Sequence, residues 1–444
     1  MRTRLSLLVA ALLLGLFFVQ VTAARAQSAP AARADANASA SNVKALRFGR
    51  LVDGKGKVWT NAIVIVRDNK IEKVGGADLA IPQGAQVVDL TRYTGIPGMI
   101  DVHTHMTFWS DIKPGTNPFN EMGKLRPGVV VYMAQENARK TLEAGVTSVR
   151  DLGAGDYDDL AMRDLINRGA MVGPRMFVAT CGLAVTSEPF RPGHNEPSCG
   201  VADGVPEVLR TVRQEIAAGA DVVKMYASTG SDQDLSGYQT FTFDEIKAAV
   251  DSAHKFGKRI AVHSYGPDGA RDAVRAGADS IEHAIDMDDA TLAEMAKRGT
   301  YYVPTIDHNR YYAEFRNDFS FDEKTAERLN AFVQKNLETA RRAHAAGVRF
   351  AMGSDAVFTM FGQNTRELAW FVKAGLTPSQ ALDTATSNAA DLLGMADKLG
   401  AVAPGYFADV VAVEGDPLSD INVAIQNVRW VMKDGRVVVD HTAH

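Results

Sequence analysis

The sequence predicts an α/β fold: a (β/α)8 TIM barrel carrying a small β-sandwich built from both chain ends. Three observations predict it. Across residues 96–393 short apolar runs alternate with amphipathic stretches, the order expected of parallel strands covered by helices. Eight such runs begin at Gly98, Val146, Arg175, Asp221, Arg259, Ser280, Thr300 and Arg349, the number that closes a barrel. Outside that region the two ends contain short alternating strands joined by tight turns. With 444 residues, 46% hydrophobic and 23% charged, the chain has enough apolar material for a barrel-sized core, which excludes a disordered or fibrous protein.

Taken in order, residues 1–26 read as a signal peptide. Arg2 and Arg4 precede an apolar stretch over residues 5–19, and Ala24-Arg25-Ala26 supplies a small-x-small cleavage site before Gln27. The stretch is short for a membrane span, so a periplasmic or secreted protein without a stable membrane anchor is expected. The formal charge of −5 becomes more negative once the leader's arginines are removed, which argues against a nucleic-acid partner. A polar Ala/Ser/Asn-rich linker follows over residues 27–43, and then the first sandwich part over residues 44–96, with Asp68-Asn69-Lys70 as a turn between strands.

The barrel occupies residues 97–400. Thr242 with Glu245, and Thr377 with Gln380, spell capping boxes, the second with Pro378 at the first helical position. Helices are expected to stop at Gly145, Gly219, Gly257, Gly277, Gly299 and Gly347. Cys181 and Cys199 meet an oxidising compartment after export and are close enough in sequence to bridge a loop, the alternative being two thiols. Residues 401–444 complete the sandwich, turning at Lys433-Asp434-Gly435.

Polar residues fall on one rim. His103, His105, Lys224, His263, His283 and Asp355 sit at or just past the C-terminal ends of predicted strands, the face on which barrel enzymes build active sites. Alternate side chains of a strand share a face, so His103 and His105 can hold one cation between them. Singly, each residue has an ordinary reading: a satisfied strand-end histidine, a Lys224 paired with Asp221 or Glu245, an Asp355 capping a helix. Together they read as a two-metal hydrolytic site. Glu282, beside His283, is left out because alternation points it away from the pocket. His254, His308 and His344 fall on helices or a loop start and add little.

Gly98-Met-Ile-Asp-Val-His103-Thr-His105, Val222-Val-Lys224, Val262-His263, Glu282-His283-Ala284 and Gly353-Ser-Asp355-Ala356, with Pro404-Gly-Tyr-Phe-Ala-Asp409 near the end, resemble the amidohydrolase superfamily over nearly everything after the linker. The resemblance implies that His103, His105 and Asp355 hold a more buried metal and that His263 and His283 hold a more exposed one. It further implies that Lys224, carbamylated by CO2, bridges the two. An unmodified ammonium has no lone pair to give, so without the carbamate a single metal remains the alternative. Zinc suits the ligand set, and manganese, cobalt or iron would also fit. In such a site a shared water loses its proton near neutral pH, and Asp355 is placed to take that proton and pass it to the leaving amine.

Within the superfamily the pattern is similar to exported metal-dependent dipeptidases and carboxypeptidase-like amidases related to imidazolonepropionase, a group that includes Xaa-Pro dipeptidases and ochratoxin-hydrolysing amidases. This implies cleavage of an amide with release of a C-terminal amino acid from dipeptides or N-acyl amino acids, and self-association into a homo-oligomer. A cyclic amide or lactone hydrolase is the alternative, and a non-catalytic relative is disfavoured by the intact ligand set. His194, in Gly193-His194 after strand three, matches a substrate-binding position of the group. Where many relatives read His-Ala-His-Gly after strand five, this chain reads His263-Ser264-Tyr265-Gly266. Tyr265 can donate a hydrogen bond there but cannot become a cation. Tyr226 and Arg150 are candidates for gripping a substrate carboxylate. Phe108, Trp109, Phe358, Met360 and Phe361 suggest an apolar pocket, with Phe361 expected to touch a hydrophobic leaving group.

Overall fold

The computed structural model describes residues 43–113, 116–186, 200–231 and 234–442. The expected signal peptide, nearly all of the linker, His194 and Cys199 lie outside the described residues.

Four strands come first: β1 (Val43–Val52), β2 (Val58–Arg67), β3 (Lys70–Gly75) and β4 (Gln86–Pro97). The barrel strands follow: β5 (Met99–Thr104), β6 (Val146–Asp151), β7 (Arg175–Val178), β8 (Val222–Tyr226), β9 (Arg259–Ser264), β10 (Ser280–His283), β11 (Tyr301–Val303) and β12 (Arg349–Phe350). Last are β13 (Val410–Val413), β14 (Val428–Lys433) and β15 (Arg436–Asp440).

Strands β5 to β12 are the eight runs counted from sequence. They pair in parallel as β5-β6-β7 and as β8 to β12. Parallel bridges Leu183↔Met225 and Thr104↔Ala356 join these two groups, and the barrel closes. Both predicted capping boxes are present, at Thr242 and Thr377. Helices end where a left-handed residue was expected, for example at Gly219 (φ 118°) and Gly277 (φ 98°). Apolar residues of strands and helices bury one large cluster between the two layers, each Val- or Leu-sized side chain contributing about 1.5–3 kcal/mol.

The two chain ends form one mixed sheet in the order β15-β14-β13-β4-β1-β2-β3. Its own core packs Leu46, Phe48, Val64, Tyr406 and Trp430 together. β4 lies at its centre, antiparallel to β13 and parallel to β1, and runs through Gly98 straight into β5. Only glycine fits at that joint: a Cβ on Gly98 would lie 2.2 Å from Thr147 Oγ1. Gly98 also donates its amide to Asp409 O at 2.9 Å, and Arg175 of β7 pairs with Asp409 at 2.6 Å and with Asp434. Sheet and barrel are therefore clamped where the first site strand begins. Among the described residues no helix is long and apolar enough to cross a membrane. Cys181 is disulfide-bonded, the first of the two alternatives the sequence left open.

Candidate active site

Each strand end delivers its polar residue to the same mouth. His103 on β5 and His105 just past its end face the same mouth, and Asp355, past β12, is drawn beside them because its amide donates to His103 O at 2.7 Å. Gly353 permits that approach, since a Cβ there would lie 2.4 Å from Val303 Cγ1 and 2.7 Å from His103 Cβ. Below them the buried Asp101 accepts the amides of His103 (3.2 Å) and Ser354 (2.9 Å) and the side-chain amide of Asn364 (2.9 Å). The first and eighth barrel strands are thus tied together under the site. His283 and Asp355 adopt φ values of 72° and 53°, left-handed conformations that cost about 1–3 kcal/mol each and turn both side chains inward.

The result is a cavity of about 450 Å³ lined by all six expected ligands, His103, His105, Lys224, His263, His283 and Asp355. Asp355 Oδ1 lies 3.5 Å from His103 Nε2 and 3.2 Å from His105 Nε2. One ligand atom from each of the three comes within 4.8 Å of the others, a grouping able to hold a metal ion. The remaining histidines stand alongside, with ring centroids 5.0 Å apart for His103 and His283 and 4.6 Å for His263 and His283. Outer contacts fix the rings: His103 Nδ1 lies 2.8 Å from Glu282 Oε2, His105 Nδ1 2.9 Å from Gly153 O and His283 Nδ1 2.7 Å from Thr305 Oγ1. A neutral imidazole that donates one ring N–H to such a partner keeps its other lone pair for a cation.

Electrostatics favour neutral rings at His103, His263 and His283, whereas the adjacent Asp355 outweighs burial at His105 and raises that imidazole. Burial, helped by the Lys224 charge, pushes His103 down to about 4, and burial holds His263 and His283 well below the ordinary imidazole range. Burial also lowers Lys224 to about 8. Asp355 feels the opposite balance, because His308, His103 and His105 outweigh its burial and hold it well below the usual carboxylate range. Neutral imidazoles around an ionised carboxylate are what a divalent cation needs.

The amidohydrolase family pattern matches residues 94–438, which span the barrel and the strands that return to the sheet. The chain belongs to the amidohydrolase family. It is a hydrolytic enzyme, and amide hydrolysis is the chemistry its relatives support. Ochratoxinase of Aspergillus niger is 30% identical over 424 residues, spanning 87% of this chain and 84% of that one. Among solved structures, a Xaa-Pro dipeptidase with bound methionine in the active site superposes with a TM-score of 0.80 at 31% identity, covering 89% of this chain and 99% of that one. A prolidase complexed with N-methylphosphonate-L-proline gives 0.80 at 28% identity, covering 90% and 100%.

Among the further site candidates, this amidohydrolase brings two to the cavity and removes two. Tyr226 and Tyr265 line it. The Tyr265 ring stacks on His263 with centroids 5.1 Å apart, and its hydroxyl lies 3.4 Å from Asn309 Oδ1. Arg150 does not reach it. The arginine is 1% exposed and lies beneath the site, donating to Val102 O, to Ser280 Oγ at 3.0 Å and to Glu282 Oε1 at 2.8 Å. Phe361 is likewise corrected: it is 3% exposed and packs in the main core. Phe108 and Phe119 form the apolar wall instead. Trp109 turns to Glu136, and Phe358 packs behind Phe119 with centroids 4.9 Å apart.

Two residues that sequence reasoning set aside matter here. Glu282, in register with the inward-facing His263, points into the barrel as a regular strand position, and the left-handed φ of His283 turns the next side chain inward as well. Held by Arg150 and His103 against its burial, its carboxyl is pulled down to about 2. His308 lines the cavity, with Nε2 3.2 Å from Asp355 Oδ2. It lies five residues past β11 on the helix Ile306–Glu314, farther from its predicted run than the six expected ligands are from theirs.

Proposed function

We propose that this amidohydrolase is a binuclear metal-dependent amidase that releases a C-terminal, hydrophobic amino acid from dipeptides or N-acyl amino acids. The observation that carries the reading is the convergence of His103, His105 and Asp355 in one cavity with His263, His283 and Lys224. The donor set fits divalent cations, zinc first: His103, His105 and Asp355 would hold one and His263 and His283 the other. Lys224 would bridge them as its carbamate, formed when the neutral amine attacks CO2 and releases a proton. Burial that lowers the lysine favours that neutral amine. When bound, such cations lower the pKa of water and polarise a carbonyl.

The chain's own residues do the rest. Asp355 takes a proton from the attacking water and returns it to the leaving amine, so that one carboxylate serves as base and then acid. Tyr265 donates a hydrogen bond to the oxygen that gathers charge as the carbonyl is attacked. Tyr226 holds the substrate carboxylate at the rim, and Phe108 and Phe119 receive an apolar side chain. The relatives named for ochratoxin and for Xaa-Pro dipeptides support an amide whose leaving group is an amino acid. Export by a cleaved leader and self-association belong to the same proposal.

The test is metal content of the purified protein prepared with and without bicarbonate, alongside Phe-, Leu-, Met- and Pro-terminated amides. Two zinc ions per chain and release of free amino acid are expected. A metal-free active enzyme, or turnover confined to ring opening of lactams and lactones, overturns the reading.

A further inference from the structure

The segment after β11 belongs to no expected ligand, yet it touches two of them. Thr305 holds its backbone at φ 49°, a conformation that a β-branched residue rarely adopts, and its hydroxyl lies 2.7 Å from His283 Nδ1. Three residues later, His308 Nε2 lies 3.2 Å from Asp355 Oδ2. In the proposed function, His283 and Asp355 serve different cations. One short stretch of chain therefore reaches both.

That stretch is anchored from the side facing away from the cavity. The buried Glu367 carboxylate accepts the amides of Ile306 and Asp307, each at 2.9 Å, and fixes the first turn of the helix Ile306–Glu314. Asp307, 1% exposed, pairs with Arg310 at 2.7 Å and accepts from Trp370 Nε1 at 2.8 Å. A strained backbone persists only where its surroundings over-determine it, and here three separate partners do so.

We propose that Thr305 and His308 are positioning residues that align the two cation positions from this single turn, Thr305 through His283 and His308 through Asp355. The inference rests on the two-cation reading above. By accepting Nδ1–H, the threonine oxygen selects the His283 tautomer whose Nε2 lone pair is available. By pairing with Oδ2, His308 leaves Oδ1 directed at His103 and His105. Each contact thus assigns one atom of a ligand to the protein and the other to the cation.

Zinc retention against a graded chelator, read by elemental analysis, tests this together with unfolding midpoints of the metal-free proteins. Thr305→Val should release one zinc about 10–100-fold more readily, the usual effect of losing a partner of a metal ligand, while Thr305→Ser stays near the parent. Thr305→Gly removes the hydroxyl and the backbone strain together, so it should unfold no earlier than Thr305→Val and still lose that zinc. His308→Ala should loosen the other ion, and His308→Gln, which keeps a donor, should recover it in part. Parent-like retention of both ions in Thr305→Val, Thr305→Gly and His308→Ala overturns the positioning role while leaving two cations in place. A parent protein that binds no zinc overturns the two-cation reading itself.

Discussion

Replacing Glu282 by glutamine removes one charge from the floor of the site and almost nothing of its shape. The pair it breaks is dry, with Glu282 and Arg150 side chains 0% and 1% exposed and 2.8 Å apart. The second carboxylate oxygen is also engaged, at 2.8 Å from His103 Nδ1. A glutamine offers one oxygen and one NH2, so the NH2 must face either the guanidinium or the imidazole N–H, donor against donor. Leaving Arg150 charged without its partner costs about 3–5 kcal/mol. With ~2.1 cal/mol/K of unfolding entropy per residue over roughly 400 residues, the midpoint of the metal-free protein should fall by roughly 4–6 °C, measured by calorimetry. Zinc retention should drop about 10–100-fold as well, because His103 loses the acceptor that fixes its ring. Arg150→Met combined with Glu282→Gln should cost less than the two changes summed, by about 0.5–3 kcal/mol. A Glu282→Gln protein indistinguishable from its parent in midpoint and zinc retention, or a strictly additive double variant, would refute the claim that this buried pair carries His103.

Three further outcomes follow from the same structure. Phe119→Ala should raise KM for Phe-terminated amides about tenfold, equivalent to ~1.4 kcal/mol of lost ring contact, and leave Ala-terminated amides nearly unchanged; Phe361→Ala should instead destabilise by about 3–5 kcal/mol with KM unaltered, and equal KM effects for the two would reject the assignment of the apolar wall. Dialysis against a chelator should abolish hydrolysis, and zinc should restore it faster with bicarbonate than without; full activity at zero metal content would exclude the metal role. Cys181→Ser should lower stability by about 3 kcal/mol in the chain-entropy account, and an unfolding midpoint unchanged by this substitution or by reduction would rule that out.

Much of this was legible in the sequence because it is periodic. Eight apolar runs, six of which carry His103, Asp151, Lys224, His263, His283 and Asp355 at or near their ends, fix both the barrel and the rim, since side-chain direction in a strand follows from counting. Counting fails where the backbone leaves the strand. At His283 the φ of 72° turns the ring back into the mouth, so alternation counted from His283 wrongly excludes Glu282, which faces the interior in register with His263. Arg150 was misjudged because an arginine at a strand end is ordinarily solvated, and the carboxylate that buries it lies 132 residues away in sequence. Phe361 was misjudged because an apolar residue in a rim loop is equally suited to cavity wall and to core. His308 was passed over because its place depends on where a helix begins after β11, which no local spacing specifies.

The position of β4 has a consequence for how the protein is made. Its hydrogen-bonding edge is filled by β13, and the strand that bears His103 and leads into His105 continues from it after one residue. During synthesis from the N-terminus, the earliest cavity histidines are therefore exposed long before the partner that seats their strand has been translated. Such distant pairing is slow to form. A nascent chain of this design must keep its first two site histidines waiting until β13, the third strand from the end, has been made.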